Sequence, residues 1–334
     1  MRIGVFCPNW IGDSVMALPF FNQLRIDNPN AVILAICKSW VAPIFQHHST
    51  IDEILSFQQK DLSGLRATRN IGRSLSTLDM DQFYLLSDSY RAAFLAKHSE
   101  TPTRIGYKSQ GRSPLITHAV KKPKRRIHRS QYYLNLLDKD FQVDTPKSGK
   151  GIHISSDESQ WANDELLQLD MVDAIAFFPF SVASSRAIPQ RRSLEILEKA
   201  TNPILIFGGK GDQTDGVIIQ DASKGINVRS VAGQYSLRES MALIAQCKGA
   251  IAVDSGLGHI SANLGVPTVS LFGAGDPNNT SPIGPKTSVV NEQVHCSPCL
   301  RNACHNRNEP LLCLEKIEPD LVWSALRGLY FWSE

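Results

Sequence analysis

The chain has 334 residues, of which 42% are hydrophobic and 20% are charged, so it is long enough for two domains with separate cores. Its ordinary glycine, proline and aromatic contents exclude collagen-like, coiled-coil and disordered classes. No apolar run reaches the ~18 residues that span a bilayer, and the first residues lack the apolar stretch of a signal peptide. We therefore expect a soluble cytoplasmic protein.

The net charge of +3 is concentrated in one segment of the chain. Residues 101–134 contain nine Lys or Arg and no acidic residue, so the remainder of the chain has a net charge of −6. This pattern indicates either a local anionic partner or a solvated loop. The cations at the centre of the segment are Lys121, Lys122, Lys124, Arg125 and Arg126.

The first half of the chain alternates short apolar runs with amphipathic stretches, which predicts strands covered by helices. Predicted strands are 2–6, 31–36, 53–57, 82–86 and 104–107. Predicted helices are 12–25, 40–47, 62–78, 90–97 and 131–138, the last one following a basic loop. Such alternation is typical of a parallel sheet.

A second series follows the polar, Pro- and Gly-containing residues 145–151. Its predicted strands are 152–154, 174–178, 203–207, 250–253 and 268–272, and its predicted helices are 158–169, 193–200, 237–246, 257–264 and 319–331. The fold class is therefore α/β, with two Rossmann-like domains, 1–150 and 151–317. Two such halves favour a ligand cleft between them.

Ligands of parallel α/β folds bind beyond the carboxyl ends of the strands, so the loops that follow strands are the candidate sites. In the first such loop, Trp10 precedes Gly12, which allows close backbone approach, and Asp13 falls in the first helical turn. An aspartate in this place is often only a helix cap, and its position alone favours that interpretation.

Three later loops carry residues suited to phosphate groups. Ser181 and Arg186 follow one predicted strand, although serine-rich turns also occur without ligands. The strongest candidate begins a helix directly after a strand, where free backbone N–H groups attract anions, and we prefer it over a plain cap with a core histidine. The residues of this helix start are Asp254, Ser255, Gly256 and His259, and a third, weaker turn contains Gly208, Gly209 and Asp212.

Two further patterns suggest metal binding. Asp79-Met80-Asp81 and Asp138-Lys139-Asp140 both have the D-x-D form, but neither follows a strand suitably, so helix-end charge is the preferred interpretation. Four clustered cysteines allow reduced structural thiols, disulfides or a thiolate metal site, although paired C-x2-C motifs are lacking. A cytoplasmic location disfavours disulfides, and no metal is expected. The cysteines are Cys296, Cys299, Cys304 and Cys313.

The segments 10–13, 254–267 and 271–273 together resemble the ADP-heptose:lipopolysaccharide heptosyltransferases of glycosyltransferase family 9. The 208–212 turn and the cysteine cluster are most similar to the heptosyltransferase II type. The resemblance covers essentially the whole chain. It implies a GT-B fold, with an acceptor-binding N-terminal domain, a nucleotide-sugar-binding C-terminal domain, and a C-terminal helix, 318–334, that packs back on the N-terminal domain.

The resemblance also implies an activity, the inverting transfer of heptose from ADP-L-glycero-D-manno-heptose to the lipopolysaccharide inner core. Asp13 matches the family's proposed base, Arg186 is expected to stabilise the leaving ADP, and no metal cofactor is required. Trp10, Gly12 and the glycine-rich and anion-binding loops would contact substrate. The five central cations would hold the anionic acceptor, Kdo-lipid A or heptosyl-Kdo-lipid A, at the inner membrane face.

The sequence departs from the family pattern at 179–180, 186–189 and 273–275, all near the expected donor site. These departures keep open a transferase of the same fold with another nucleotide sugar or acceptor. A third interpretation is a non-enzymatic polyanion-binding module, which would explain the basic segment but would leave the other motifs without a role.

Overall fold

The computed structural model describes residues 1–137 and 151–331, which form two compact units. The first unit contains residues 1–137 with 151–153, and the second contains residues 154–331. No helix in these ranges is long and apolar enough to cross a membrane.

The first unit is a six-stranded parallel sheet with the order β3-β2-β1-β4-β5-β6. Its central strands are apolar because helices cover both faces of the sheet. The strands are β1 (Arg2–Phe6), β2 (Val32–Lys38), β3 (Glu53–Phe57), β4 (Gln82–Leu85), β5 (Thr103–Tyr107) and β6 (His118–Val120). The helices are α1 (Ile11–Met16), α2 (Leu18–Asp27), α3 (Gly64–Ser76), α4 (Tyr90–His98) and α5 (Arg129–Leu134).

The second unit repeats this plan, with the order β12-β11-β10-β7-β8-β9 and every pairing parallel. Its strands are β7 (Ile175–Phe178), β8 (Ile204–Ile206), β9 (Val228–Ser230), β10 (Gly249–Val253), β11 (Thr268–Phe272) and β12 (Thr287–Asn291). Its helices are α6 (Ser156–Gln168), α7 (Gln190–Leu197), α8 (Gln213–Ala222), α9 (Leu237–Ala245), α10 (Gly256–Asn263), α11 (Pro277–Thr280), α12 (Leu312–Glu315) and α13 (Pro319–Tyr330).

Each of the two sheets has its own topological switch point. In the first sheet the chain order reverses between β1 and β4, and in the second it reverses between β10 and β7. At such a point the loops after the two central strands diverge and leave room for a ligand. The predicted α/β class with two Rossmann-like sheets is confirmed, and the switch points identify where each unit can bind a ligand.

Several predicted elements differ from the structure. The helix predicted for 12–25 is two helices that meet at Ala17, because Pro19 has no N–H and its ring disfavours a continuous helix. Residues 40–47 contain a short 3-10 turn, Ala42–Ile44, and residues 152–154 have irregular backbone although Ile152 is buried. Helix α8 and strands β6, β9 and β12 were not predicted. These three strands lie at sheet edges and have three to five residues each, many of them polar. Their apolar alternation is therefore too short to predict a strand.

Helix α13 packs on the sheet of its own unit. Trp323 Nε1 donates to the Ile196 carbonyl at 2.7 Å, and Leu326 is fully buried. Tyr330 lies over Gly249 of β10, where an added Cβ would approach its hydroxyl within 2.7 Å. The apolar face of α13 is thus buried within the second unit, and the packing of residues 318–334 on the N-terminal domain, which the resemblance implies, stays a prediction.

Candidate functional site

The first unit places Asp13 at its switch point, directly after the central strand β1. Trp10 caps the start of α1 with extended backbone, and its side chain is 63% exposed. Gly12 and Asp13 are the second and third residues of the helix, and Ser14 Oγ donates to the Pro8 carbonyl at 3.3 Å. The Asp13 side chain is 26% exposed, so the carboxylate can be reached from solvent.

Arg129, the first residue of α5, supplies a cation beside Asp13. The distance from Arg129 Nε to Asp13 Oδ1 is 3.5 Å. Burial by itself lowers the pKa of Arg129, but Tyr133 and then Asp13 outweigh it, so that this pKa lies above the ordinary value. The Arg129 guanidinium also lies 5.4 Å from the centre of the Tyr132 ring. A fixed positive charge at this distance favours the ionised form of the carboxylate.

A second carboxylate, Asp88, follows β4 on the other side of the switch point. Its Oδ2 accepts the Tyr132 hydroxyl at 2.8 Å and lies 2.7 Å from Lys122 Nζ. Arg112 is fully buried, with Nη2 3.5 Å from Asp88 Oδ1 and Nε donating to the Tyr107 carbonyl at 2.9 Å. Asp88 therefore links the basic segment and α5 to the carboxyl end of β4.

The basic segment is divided by these contacts. Lys122 is used in the ion pair with Asp88, and its side chain is 43% exposed. The other members of the predicted acceptor set are exposed: Lys121, Lys124, Arg125 and Arg126. The structure therefore brings one of the five predicted cations into the Asp88 cluster and leaves four on the surface.

A cavity of about 370 Å³ opens beside this cluster, where β1 and β2 end and α4 begins. Its lining combines apolar side chains with two cations, Lys38 and Arg91. Burial and then the charge of Arg91 lower the pKa of Lys38. Neither cation has an ion-pair partner among the residues the structure describes, so the cavity offers a positive wall to an anionic group.

The second unit places Asp254 and Arg186 at its switch point. Asp254 follows β10 and its side chain is 5% exposed, and Arg186 Nη1 lies 3.3 Å from its Oδ2. Ser181, which follows β7, donates to the Asp254 carbonyl at 3.5 Å. Gly275 lies against the same carboxylate, because a Cβ there would stand 2.1 Å from Asp254 Oδ2.

Helix α10 begins at Gly256, two residues after Asp254 and one residue before the start that the sequence predicted. Ser255 is its N-cap residue, and Gly256 is its first helical residue. The Ser255 side chain makes no cap hydrogen bond, and its buried Oγ has no hydrogen-bond partner among the described residues. Gly258 packs on Ala252 and His259 is buried, so both bring the helix start close to the sheet. The first amides of the helix are an anion-binding feature.

The turn after β8 is stabilised by its own aspartate. Asp212 Oδ2 accepts the Gly209 N–H at 2.8 Å. A Cβ at Gly208 would approach the side chains of Asp212 and Phe180 within 2.8 Å, so only glycine fits between them. Asp212 therefore shapes the turn, while the backbone of Gly208 and Gly209 stays open to close approach.

The four clustered cysteines surround one loop but show no metal-ligand arrangement. No group of three or more His, Cys, Asp or Glu side chains within 1–137 and 151–331 is placed to hold a metal ion. Burial, and then the neighbouring thiols Cys296, Cys299 and Cys304, raise the pKa of Cys313 to about 11. A protonated, buried thiol packs as a small apolar side chain.

The two D-x-D patterns contribute no recognised ligand pair. Asp81 accepts the Arg2 backbone N–H at 2.7 Å, and Asp79 is exposed with a left-handed backbone. The pattern 138–140 lies outside the described residues. Asp88, Arg112 and Arg129 were not predicted as site residues, although Asp88 follows a central strand and the strand-end rule alone would have found it. Nothing in the sequence marks Arg112 as buried.

The comparisons with known proteins agree with this architecture. The model of glycosyltransferase family 9 (heptosyltransferase) matches residues 68–309. The chain is 24% identical over 305 residues to lipopolysaccharide heptosyltransferase 2 of Salmonella typhimurium, covering 87% of this chain and 88% of that one. It is 26% identical over 314 residues to lipooligosaccharide heptosyltransferase 2 of Haemophilus ducreyi, with coverages of 87% and 88%.

Among solved structures, the chain superposes on ADP-heptose LPS heptosyltransferase II of E. coli with a TM-score of 0.83 at 23% identity, covering 98% of each chain. A family 9 glycosyltransferase of Veillonella parvula gives a TM-score of 0.86 at 20% identity, covering 99% of this chain and 98% of that chain. These likenesses show the same two-sheet fold. Since the family model spans well over half of its length, the chain belongs to glycosyltransferase family 9, the heptosyltransferases.

Proposed function

We propose that the protein transfers heptose from ADP-L-glycero-D-manno-heptose to the inner core of lipopolysaccharide with inversion at the anomeric carbon. Asp13 accepts the proton of the acceptor hydroxyl while the hydroxyl oxygen forms a bond to the anomeric carbon. The bond from that carbon to the β-phosphate oxygen breaks in the same step, and ADP leaves with the electron pair. One base is sufficient for this displacement.

The observation that carries the proposal is the position of Asp13 and its contact with Arg129. The carboxylate is partly exposed at a switch point and has the Arg129 guanidinium 3.5 Å away. A general base must be unprotonated before the reaction, and an adjacent cation favours that state. A carboxylate serving only as a helix cap would not need this cation.

The second unit is proposed to bind the ADP-sugar. The first amides of α10 would receive the diphosphate, together with the buried Ser255 hydroxyl. Arg186 keeps guanidinium donors beyond its contact with Asp254, since its Nε has no hydrogen-bond partner among the described residues. A cation fixed in this way stabilises the charge that develops on the leaving diphosphate, so a metal ion is not required in the proposed step.

The first unit is proposed to bind the acceptor. Kdo sugars and lipid A carry carboxylates and phosphates, which match the exposed cations of the basic segment. Lys122 orders this segment through Asp88 and leaves the remaining cations at the surface. We place the reaction in the cytoplasm, with the enzyme in peripheral contact with the inner membrane face where the lipid acceptor lies.

One observation favours a different nucleotide-sugar donor as the second candidate. Phe180 packs against the Gly208 turn and Gly275 lies against Asp254, and both residues depart from the family pattern. These substitutions border the proposed donor pocket, so they favour a pocket that accepts a nucleotide sugar other than ADP-heptose. A panel of ADP-heptose, ADP-glucose, GDP-mannose and UDP-glucose separates the candidates by their binding and turnover.

The test is Asp13→Asn, assayed as ADP release from ADP-heptose with a Kdo-lipid A acceptor. We expect turnover to fall by ~10²–10⁴, the usual contribution of a general base. The control is Asp79→Asn, which removes a carboxylate of the same unit at an exposed position. Near-normal turnover in a folded Asp13→Asn protein would refute the base, and polyanion binding without nucleotide-sugar binding would refute the enzyme.

A further inference from the structure

Helices α3 and α4 form a cationic face on the first unit, separate from the basic segment. Arg66, Arg69 and Arg73 follow spacings of three and four residues, so they project from one side of α3, and all three are exposed. Lys97 of α4 adds a further exposed cation. None of these four has an ion-pair partner among the described residues, so their charge is directed to solvent.

The two helices are tightly joined, which makes the cations one surface. Gly72 of α3 lies against α4, where a Cβ would approach the Leu95 carbonyl within 2.7 Å. Burial and then Arg69, Arg73 and Lys97 lower the pKa of His98, and Glu100 opposes them. Arg69, Arg73 and Lys97 therefore lie close enough to His98 to act on the same side chain, which agrees with one shared cationic surface.

Apolar and aromatic side chains adjoin these cations. Leu65, beside Arg66, is 56% exposed, and Tyr90 at the start of α4 is 40% exposed. Both line the rim of the 370 Å³ cavity described above. Along α4 the Tyr90 ring stacks near Phe94, and Phe94 contacts His98 edge to face at 4.6 Å. Mixed cationic, leucine and tyrosine surfaces suit the boundary between lipid headgroups and acyl chains.

We propose that the face formed by α3 and α4, with Leu65 and Tyr90 at its rim, docks onto a membrane surface of anionic phospholipids. The arginines contact headgroup phosphates, and the rim enters the interface, so that the cavity opens towards the lipid. A solvated nucleic acid would use the cations but has no use for an exposed leucine, which is why the membrane is the favoured partner.

The proposed function makes such a contact useful, because its acceptor is a lipid, but the two ideas fail separately. Vesicle binding is measured without donor, acceptor or transfer. A loss of transfer in Asp13→Asn therefore leaves the docking surface untouched, and a failure to bind vesicles leaves the proposed chemistry untouched.

The experiment is co-sedimentation of the full chain with vesicles of phosphatidylcholine, with or without phosphatidylglycerol, at low and high salt. We expect binding only with phosphatidylglycerol. The triple variant Arg66→Gln, Arg69→Gln, Arg73→Gln is expected to bind on the order of 100-fold more weakly, at about fivefold per cation. The matched control, Lys224→Gln, Arg229→Gln, Lys248→Gln, removes the same charge from exposed positions of the second unit that have no assigned role, and it is expected to bind within about threefold of the wild type.

A further variant, Leu65→Ser, separates docking from simple charge attraction. It keeps every cation, so a weakening of about fivefold that persists at high salt supports insertion of the rim. Circular dichroism and thermal melting confirm folding of each variant. The proposal is overturned if the wild type ignores anionic vesicles, if both triple variants lose binding equally, if only the control loses it, or if a DNA duplex binds more tightly than the vesicles.

Discussion

Asp13, in the first turn of α1, forms an ion pair with Arg129 at the start of α5. This contact leads to a prediction about the pH dependence of kcat. Because the positive guanidinium stabilises the ionised carboxylate, Arg129→Gln should move the acid limb of the kcat profile to higher pH. Arg129→Lys should restore part of the shift. The measurement is the pH profile of kcat at saturating substrates.

The control for this prediction is Arg104→Gln, which removes a cation of the same unit that hydrogen-bonds the Leu115 and Thr101 carbonyls rather than Asp13. Its acid limb should coincide with that of the wild type. If Arg129→Gln lowers kcat equally at every pH, Arg129 orients the acceptor or α5 and does not act on the charge of Asp13.

Gly275 and Asp254 give a second prediction at the same scale. In Gly275→Ala the new Cβ would lie 2.1 Å from Asp254 Oδ2, so the carboxylate must move and its contact with Arg186 must change. We expect a loss of about 1–3 kcal/mol in stability, as in other overpacked sites, and weaker ADP binding. Calorimetric titration with ADP and thermal melting measure both effects.

Gly328→Ala on α13 is the matched control, because its added Cβ meets no atom within 4 Å. It should leave ADP affinity close to that of the wild type and should not lower the melting temperature. Equal ADP affinity in Gly275→Ala and Gly328→Ala would mean that the 273–275 turn lies outside the donor site.

The sequence predicted site residues that come directly after apolar strands and missed those fixed by tertiary partners. Asp13, Asp254 and Arg186 lie where the strand-end rule placed them. Arg112, by contrast, is buried because its guanidinium donates hydrogen bonds to the backbone carbonyls of Tyr107 and Ser87. Such a pairing of distant residues has no local pattern, so it could be found only in the folded chain.

At the scale of secondary-structure elements, the sequence predicted long amphipathic helices and fully apolar strands, but it did not predict the short edge strands. The strands predicted for 2–6, 53–57 and 268–272 match the structure residue for residue. β9 and β6 have only three residues each, and their pairing is decided by the neighbouring strand. An apolar run predicts burial more directly than it predicts a strand, since Ile152 is buried in irregular backbone.

Helix α13 allows a test of how much the last helix contributes to the stability of the second unit. Leu326 is fully buried against that unit's core, so Leu326→Ala should destabilise it by about 2–5 kcal/mol. Leu321→Ala, on the exposed side of the same helix, should cost less than about 1 kcal/mol. Urea denaturation followed by circular dichroism measures both, and similar losses in the two variants would contradict the packing described.

Across the whole molecule the charge is unevenly shared. Residues 1–150 contain 21 Lys or Arg and 12 Asp or Glu, whereas residues 151–334 contain 14 and 20. The excess of cations in the first part agrees with the proposed anionic acceptor and membrane surface, while the second part has more acidic than basic residues. The donor diphosphate must therefore be attracted by local groups, Arg186 and the α10 amides, rather than by the net charge of the second part.

The acidic second unit also sets how stability depends on pH, through the pair that joins α6 to α9. Glu158 accepts hydrogen bonds from Arg238, one of them at 2.6 Å, and this contact lowers the pKa of Glu158 to about 2. Because the folded pKa lies below the unfolded value of about 4.3, the pair stabilises the protein fully above that value. The stabilisation is lost as pH falls towards 2.

Glu158→Gln should therefore lower the free energy of unfolding by about 2 kcal/mol at pH 7, and the difference from the wild type should shrink below pH of about 4. Glu198→Gln serves as control, since Glu198 is exposed and has no ion-pair partner in the described chain. Urea titrations at a series of pH values measure the difference. A gap that stays constant down to pH of about 3 would show that the loss does not depend on the charge of Glu158. The absence of a gap at every pH would show that Glu158 stabilises α6 through its helix cap to Ser155, which a glutamine retains.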